Sequence, residues 1–316
     1  GTWQYNSNGT YASETWANGA TNTELATLAE AMEGASFVNG FDVSTSVFVD
    51  AFSVSAQETD PAGLAFNTDG TKMFVVGYTG DDVNEYALST GFDVSTASFT
   101  DAFSVAGQAT QPRGVAFNND GTKMYVVSNA TPIYFIYQYT LSTGFDVSTA
   151  SYASLSFNVG TQDVEPQDLA FNSDGTKVFV VGSQNDSVYM YVLSTAFNIS
   201  TASYTATFSV SSQDNMPTGI AFKPDGTKMF ITGQTGDDVN EYSLSTGFDI
   251  STSVFVDAFS VSPQEASPQS IAFNANGSKM FVLGLAGLDV NEYTMGSTSY
   301  TNQMDKTQLD AVTDPN

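Results

Sequence analysis

One segment recurs five times, and that recurrence constrains the fold more than any other feature of this chain. Gly40-Phe41-Asp42-Val43-Ser44-Thr45 returns at 91–96 and 144–149, as Ala196-Phe197-Asn198-Ile199-Ser200-Thr201, and as Gly247-Phe248-Asp249-Ile250-Ser251-Thr252. A second marker, Asp69-Gly70-Thr71-Lys72, recurs at 120–123, 174–177, 225–228 and, as Asn276-Gly277-Ser278-Lys279, at 276–279. The units run 40–90, 91–143, 144–195, 196–246 and 247–298, each 51 to 53 residues long. A fixed period of this size is the signature of a repeat architecture.

Each unit holds four strand-like runs. In the first they are 63–67, 72–76, 82–88 and 98–105. Asp69-Gly70 separates the first two as a tight turn, where glycine supplies a positive φ. The second run, Lys72-Met73-Phe74-Val75-Val76, is almost wholly apolar, as expected of a strand covered on both faces. Four antiparallel strands about every 50 residues predict a β-propeller blade. A fifth outer run, 47–54, precedes the first inner run and has no blade of its own unless the ring closes. Pairing it with 289–295 completes five blades and removes an exposed edge. Burial of Val47, Val49, Phe52 and Val54 is expected to contribute roughly 1.5–3 kcal/mol each. The alternative is donation of this strand to a neighbouring molecule. The fold class predicted is all-β: a five-bladed β-propeller of four-stranded blades, closed by an N-terminal outer strand.

The domain reading is a hairpin and short helix over 1–39, the propeller over 40–298, and a polar tail over 299–316. Asn8-Gly9 marks the hairpin turn, and Thr21 with Glu24 forms a capping box. The sequence begins at Gly1 without a leader pattern, which suggests a processed product or a fragment.

The run Pro61-Ala62-Gly63-Leu64-Ala65-Phe66-Asn67-Thr68-Asp69-Gly70-Thr71-Lys72-Met73-Phe74-Val75-Val76, followed by Asp82-Val83-Asn84-Glu85-Tyr86, resembles lactonase-like and NHL-type propeller repeats. The resemblance spans the five units and implies the fold; this fold hosts many unrelated activities. The Phe-Asp-Val-Ser-Thr punctuation and the tail from Met304 to Asn316 also resemble repeat regions of tail-fibre and other virion proteins of marine bacteriophages. That likeness implies a structural virion component.

Composition limits the chemistry. The chain has 34 acids, 8 bases and a net charge of −26, with no histidine and no cysteine. Ser-His-Asp and Cys-His nucleophiles are therefore excluded, as are thiolate and imidazole zinc sites. One arginine and seven lysines do not make a nucleic-acid groove or an anionic-membrane surface. No apolar run is long enough to span a membrane.

Candidate binding residues fall on the end of the ring that carries the outer-to-inner and second-to-third connections. Gln57, Gln108, Gln162, Gln213 and Gln264 each stand four residues before a proline, either as a ring of amides for a hydroxyl-rich ligand or as bonds between blades. Unit 91–143 has two extra residues after its second strand, where Tyr134 and Phe135 could offer an aromatic platform. Arg113 is the only arginine, and Asp168 replaces glycine or serine at its repeat position. With Asp163 and Glu165, Asp168 makes an acidic group of the kind glycosidases use. Asp81, Asp82, Asp237 and Asp238 are weak calcium candidates without EF-hand spacing, so no cofactor is expected beyond that ion. The lysines after the turns read as local turn chemistry that discourages edge pairing.

The function expected from sequence is a non-enzymatic structural or adhesion module, extracellular, on a virion or cell-surface appendage. Its partners would be other subunits of a virion or filament assembly and a glycan or host receptor, with no nucleic acid and no membrane insertion. The alternatives are a subunit of a microbial surface filament or layer, and a carbohydrate-active propeller enzyme.

Overall fold

The computed structural model describes residues 40–296. The expected hairpin and helix of 1–39 and the tail of 299–316 lie outside the described residues. Twenty strands form five four-stranded antiparallel sheets. The first blade runs from the axis outward as β2 (Pro61–Phe66), β3 (Lys72–Gly77), β4 (Asp82–Leu88) and β5 (Ala97–Ser104). The inner strands of the next four blades are β6 (Pro112–Phe117), β10 (Pro166–Phe171), β14 (Pro217–Phe222) and β18 (Pro268–Phe273). They pack side by side around the axis, and β18 meets β2.

Closure occurs within the chain. β1 (Ser46–Ser53) pairs antiparallel with β20 (Asp289–Met295), with Ser46 opposite Met295 and Ser53 opposite Asp289. The fifth sheet is thus β18, β19 (Lys279–Gly284), β20 and β1. The expected burial needs correction. Val54 is fully buried and Phe52 half-buried, whereas Val47 and Val49 are 62% and 50% exposed. An outermost strand has a sheet neighbour on one side only, and no further blade covers this stretch.

Five apolar clusters lie between neighbouring blades. The second strands supply their centres: Met73, Phe74, Val75 and Val76 are all fully buried. Each is sandwiched between two sheets, which is why the run carries no polar alternation.

The lysines do more than shape their own turns. Lys72 Nζ donates to the Phe145 carbonyl at 2.6 Å, and Lys123, Lys177, Lys228 and Lys279 donate to Phe197, Phe248, Phe41 and Phe92. Each bond links one blade to the repeated Phe-Asp-Val loop of the next, and the last two cross the closure. The phenylalanine adopts a left-handed conformation, φ 59° at Phe92, which costs a side-chain-bearing residue of order 1 kcal/mol. The lysine bond and the burial of its ring against Gly70 offset that cost. Gly70 is required twice, by its own φ of 72° and because a Cβ there would sit 2.2 Å from the Phe92 ring.

Candidate functional site: the axial mouth

The connections 54–60 and 78–81, with their equivalents, share one end of the ring. Buried acids hold them together. Glu58 accepts the backbone N–H groups of Asp60 (2.7 Å), Thr79 (3.2 Å) and Gly80 (3.3 Å). Asp214 and Glu265 do the same in the fourth and fifth blades. In the third, Asp163 accepts from Glu165 N, Asn185 N and the Tyr189 hydroxyl. The second blade has Ala109 at this position, and there β7 (Lys123–Ala130) and β8 (Ile133–Leu141) extend into a longer hairpin.

That frame presents three positions per blade to the axis. The position before the inner-strand proline is Asp60, Gln111, Glu165, Met216 or Ser267. The position after it is Ala62, Arg113, Gln167, Thr218 or Gln269. The residue after the second-strand Gly or Ser that pairs with that proline is Tyr78, Asn129, Ser183, Gln234 or Leu285. Their neighbours barely change: the proline and the following Ala-Phe pair are the same in all five blades. A pocket of about 380 Å³ opens on the axis at this end, and all eleven of its lining residues come from these three positions.

One layer deeper, the axis is closed. Positions 63, 114, 168, 219 and 270 are Gly, Gly, Asp, Gly and Ser, and the inner strands approach so closely that a Cβ on Gly63 would lie 2.8 Å from the Gly114 Cα. Asp168 fills the centre. Its carboxylate accepts from Leu169 N (2.8 Å), Ile220 N (3.2 Å) and Ser270 Oγ (3.0 Å), and Ser270 Oγ accepts from Leu64 N (3.2 Å). Burial pushes the Asp168 pKa up to about 8, against these donated bonds. The mouth pocket is therefore blind, with Asp168 beneath its floor.

Charge in the mouth is uneven. Arg113 lies over the Tyr78 ring, 5.8 Å from its centroid, and Gln111 donates to the Tyr78 hydroxyl at 3.0 Å. The guanidinium makes no ion pair or hydrogen bond among the described residues, and its Nε is buried without a partner. Burial raises the Asp60 pKa, while the nearby Arg113 charge pulls it down. Glu165 accepts from the Ser183 hydroxyl (3.2 Å), which in turn accepts from Gln167 (2.7 Å). Met216 and Leu285 give the wall of the fourth and fifth blades an apolar surface.

The residues singled out from sequence divide. Arg113 lines the pocket; Asp168 lies under it, and Asp163 is committed to loop geometry. Gln57, Gln108, Gln162 and Gln213 accept from the buried hydroxyls of Tyr86, Tyr139, Tyr191 and Tyr242 at 3.3–3.5 Å, so they join connections to blades. Gln264 stands at the equivalent position, facing no such bond. Tyr134 and Phe135 are half-buried in the extended hairpin, Phe135 stacked on Tyr137 at 5.8 Å. Asp81 and Asp237 occupy left-handed turn positions, and Asp82 and Asp238 accept from Asn84 and Asn240. Among the described residues, no group of three or more acids is arranged to hold a metal ion. Sequence reasoning missed Asp60, Asn129, Gln167, Ser183, Met216, Thr218, Gln234, Gln269 and Leu285. The available signal was their divergence between copies that otherwise match.

The sequence matches no protein-family description and no curated protein. Among solved structures, the fold is similar to a functionally unknown protein from Desulfotomaculum acetoxidans (14% identity, TM-score 0.46, covering 71% of this chain and 62% of that one). It is similar to a candidate 6-phosphogluconolactonase from Bacteroides uniformis (14%, TM-score 0.47, 74% and 66%). It is also similar to the periplasmic gluconolactonase of Pseudomonas aeruginosa (14%, TM-score 0.43, 76% and 67%). The chain spans less than two thirds of the length of the first two. The expected likeness to phage tail-fibre repeats is not shown by these comparisons. The expectation of a chain without enzymatic activity is corrected: propellers of similar fold carry lactonase names, so the missing histidine and cysteine exclude particular nucleophiles and not catalysis. At this identity the likeness is one of fold alone, and this chain is a five-bladed β-propeller.

Proposed function

We propose that the chain is a carbohydrate-directed propeller that takes a hydroxyl-rich ligand into the blind axial pocket. One observation carries this reading: every residue lining the pocket comes from three positions that differ from blade to blade, although the proline and Ala-Phe pair beside them are the same in all five. A feature serving the ring would repeat in each blade; a ring of five unlike surfaces serves something asymmetric. The lining supplies carboxylates, amides and hydroxyls for sugar hydroxyls, and Met216 and Leu285 for an apolar C–H face. The same groups suit the opening of a cyclic ester. Asp60, its pKa raised by burial, or Glu165 would accept a proton from water, and Arg113 would face the carbonyl oxygen as charge develops. Sugar lactones are accordingly the first substrates to assay. Calorimetry with a panel of hexoses, and proton release with δ-gluconolactone, test the reading. Binding or turnover that disappears in Gln167→Ala/Gln269→Ala supports it; no response to any sugar or lactone rejects it.

A second reading, attachment, is favoured by where the chain enters and leaves the ring. Gly40 packs against Asn276 of a turn at the end opposite the mouth, and Gly296 N donates to Thr45 O there. The pocket thus opens at the end of the ring opposite Gly40 and Gly296. That geometry suits a head displayed to a surface glycan on an extracellular particle such as a phage appendage. Glycan-array binding lost on the same substitutions tests it.

A further inference from the structure

The pocket's ligand can be defined more narrowly. We infer that it is a sugar carrying one carboxylate, a uronic acid residue or similar sugar acid, which Arg113 grips in preference to a neutral or a phosphorylated sugar. This inference rests on the carbohydrate reading of the mouth.

The first support is the state of Arg113. Every other basic side chain among the described residues is committed. Five lysines bond to loop carbonyls of the next blade, and Lys223 pairs with Asp225 at 2.7 Å. Arg113 alone has neither an ion pair nor a hydrogen bond, although acids abound in a chain of net charge −26. Its Nε is a buried donor without an acceptor, a costly state for a polar group, and the residue lines the pocket where a ligand would sit. A planar guanidinium offers a fork of parallel donors, which a carboxylate matches with two oxygens.

The second support is that the fork is held in place. Tyr78 lies beneath the guanidinium, fixed in turn by the bond from Gln111 to its hydroxyl. The strand carrying Arg113 packs closely on the first blade, its carbonyl only 2.6 Å from where a Cβ on Gly63 would lie.

The third support concerns the size of the ligand charge. Asp60 and Glu165 share the pocket with Arg113, and the whole chain is strongly negative. A single carboxylate pairs with the guanidinium and leaves the two acids as the other charges of the lining. A phosphate monoester brings about −1.5 to −2 near neutral pH and leaves an excess facing those acids. Asp60 and Glu165 are instead placed to accept bonds from hydroxyls.

The test pairs each of three hexuronates (glucuronate, galacturonate and mannuronate) with its neutral hexose and its hexose 6-phosphate, titrated into the full chain by calorimetry at low and high salt. At least one hexuronate is expected to bind about tenfold more tightly than both its partners, with the margin shrinking as salt rises. In Arg113→Gln the margin over the neutral hexose and the hexose phosphate should vanish; Arg113→Lys should restore only part of it. If some sugar binds but none of the three hexuronates exceeds both its partners, or if the margin survives Arg113→Gln with an unchanged melting profile, the inference is overturned while the carbohydrate reading stands. No binding by any sugar removes both.

Discussion

The two ends of the ring use similar residues to opposite effect. At the turn end, the same arrangement appears in each blade: a lysine on the next blade's Phe carbonyl, and an Asp-Gly turn, Asn-Gly in the fifth, whose side chain is satisfied locally. Hydrogen bonds from the following threonine hydroxyl and backbone hold the Asp69, Asp120 and Asp174 pKa values below the ordinary carboxylate range. At the mouth end, burial drives carboxyl groups the other way. Asp82 and Asp289 are raised, Asp238 to about 6 with Asp214 adding to the effect of burial, and Asp168 to about 8. The contrast teaches that the turn end satisfies its carboxylates and holds the ring shut, while the mouth end buries carboxyl groups at a cost to their charged form, Asp60 of the pocket lining among them. Strain of that kind marks functional sites more often than scaffolds.

Breaking the repeated end should have the largest effect on stability. Lys279→Met leaves Glu292, whose side chain is only 3% exposed, without its 2.6 Å partner, and strips the Phe92 carbonyl of its donor. A loss of about 3 kcal/mol is expected in urea unfolding. A loss under about 1 kcal/mol would show that the lysines do not staple the ring.

Next comes pH. In the unfolded chain Asp168 ionises near 3.8; in the ring it does so only near about 8. Between those values the folded state keeps a proton that the unfolded state has lost. Its contribution is therefore complete below about pH 4 and is lost as pH rises toward 8, with a slope of up to about 1.4 kcal/mol per pH unit. Thermal melts of wild type and Asp168→Asn across that window check this, and the variant should show a shallower slope.

Smaller effects sharpen the comparison. Lys223→Met removes a pair whose aspartate is 52% exposed, and should cost less than about 1 kcal/mol. Gln234→Ala at the mouth should change stability by no more than about 0.5 kcal/mol, yet weaken ligand binding measurably. A mouth residue whose loss unfolds the ring would place it in the scaffold instead.

The strands were legible because their signals are local. The local pattern located β4 to the residue and β3 to within one, and counting unpaired runs predicted the closure of β1 on β20. The staples were not legible: Lys72 and Phe145 are 73 residues apart, and nothing near either announces the other. Asp168 stood out as a substitution in the repeat, but its burial depends on four other strands meeting at the axis. The mouth was half-legible. Arg113 was conspicuous by residue type, whereas Thr218 or Leu285 is unremarkable until positions from five blades converge on one cavity.

The most direct test is backbone amide NMR of the intact chain, titrated with the hexose and hexuronate panel. The predicted result is a compact set of shifts at Arg113, Gln167, Thr218 and Gln269, with Phe92, Phe145 and Phe248 unmoved. Shifts confined to the Phe-Asp-Val loops and Asp-Gly turns, with a silent mouth, would contradict the assignment of binding to the divergent end.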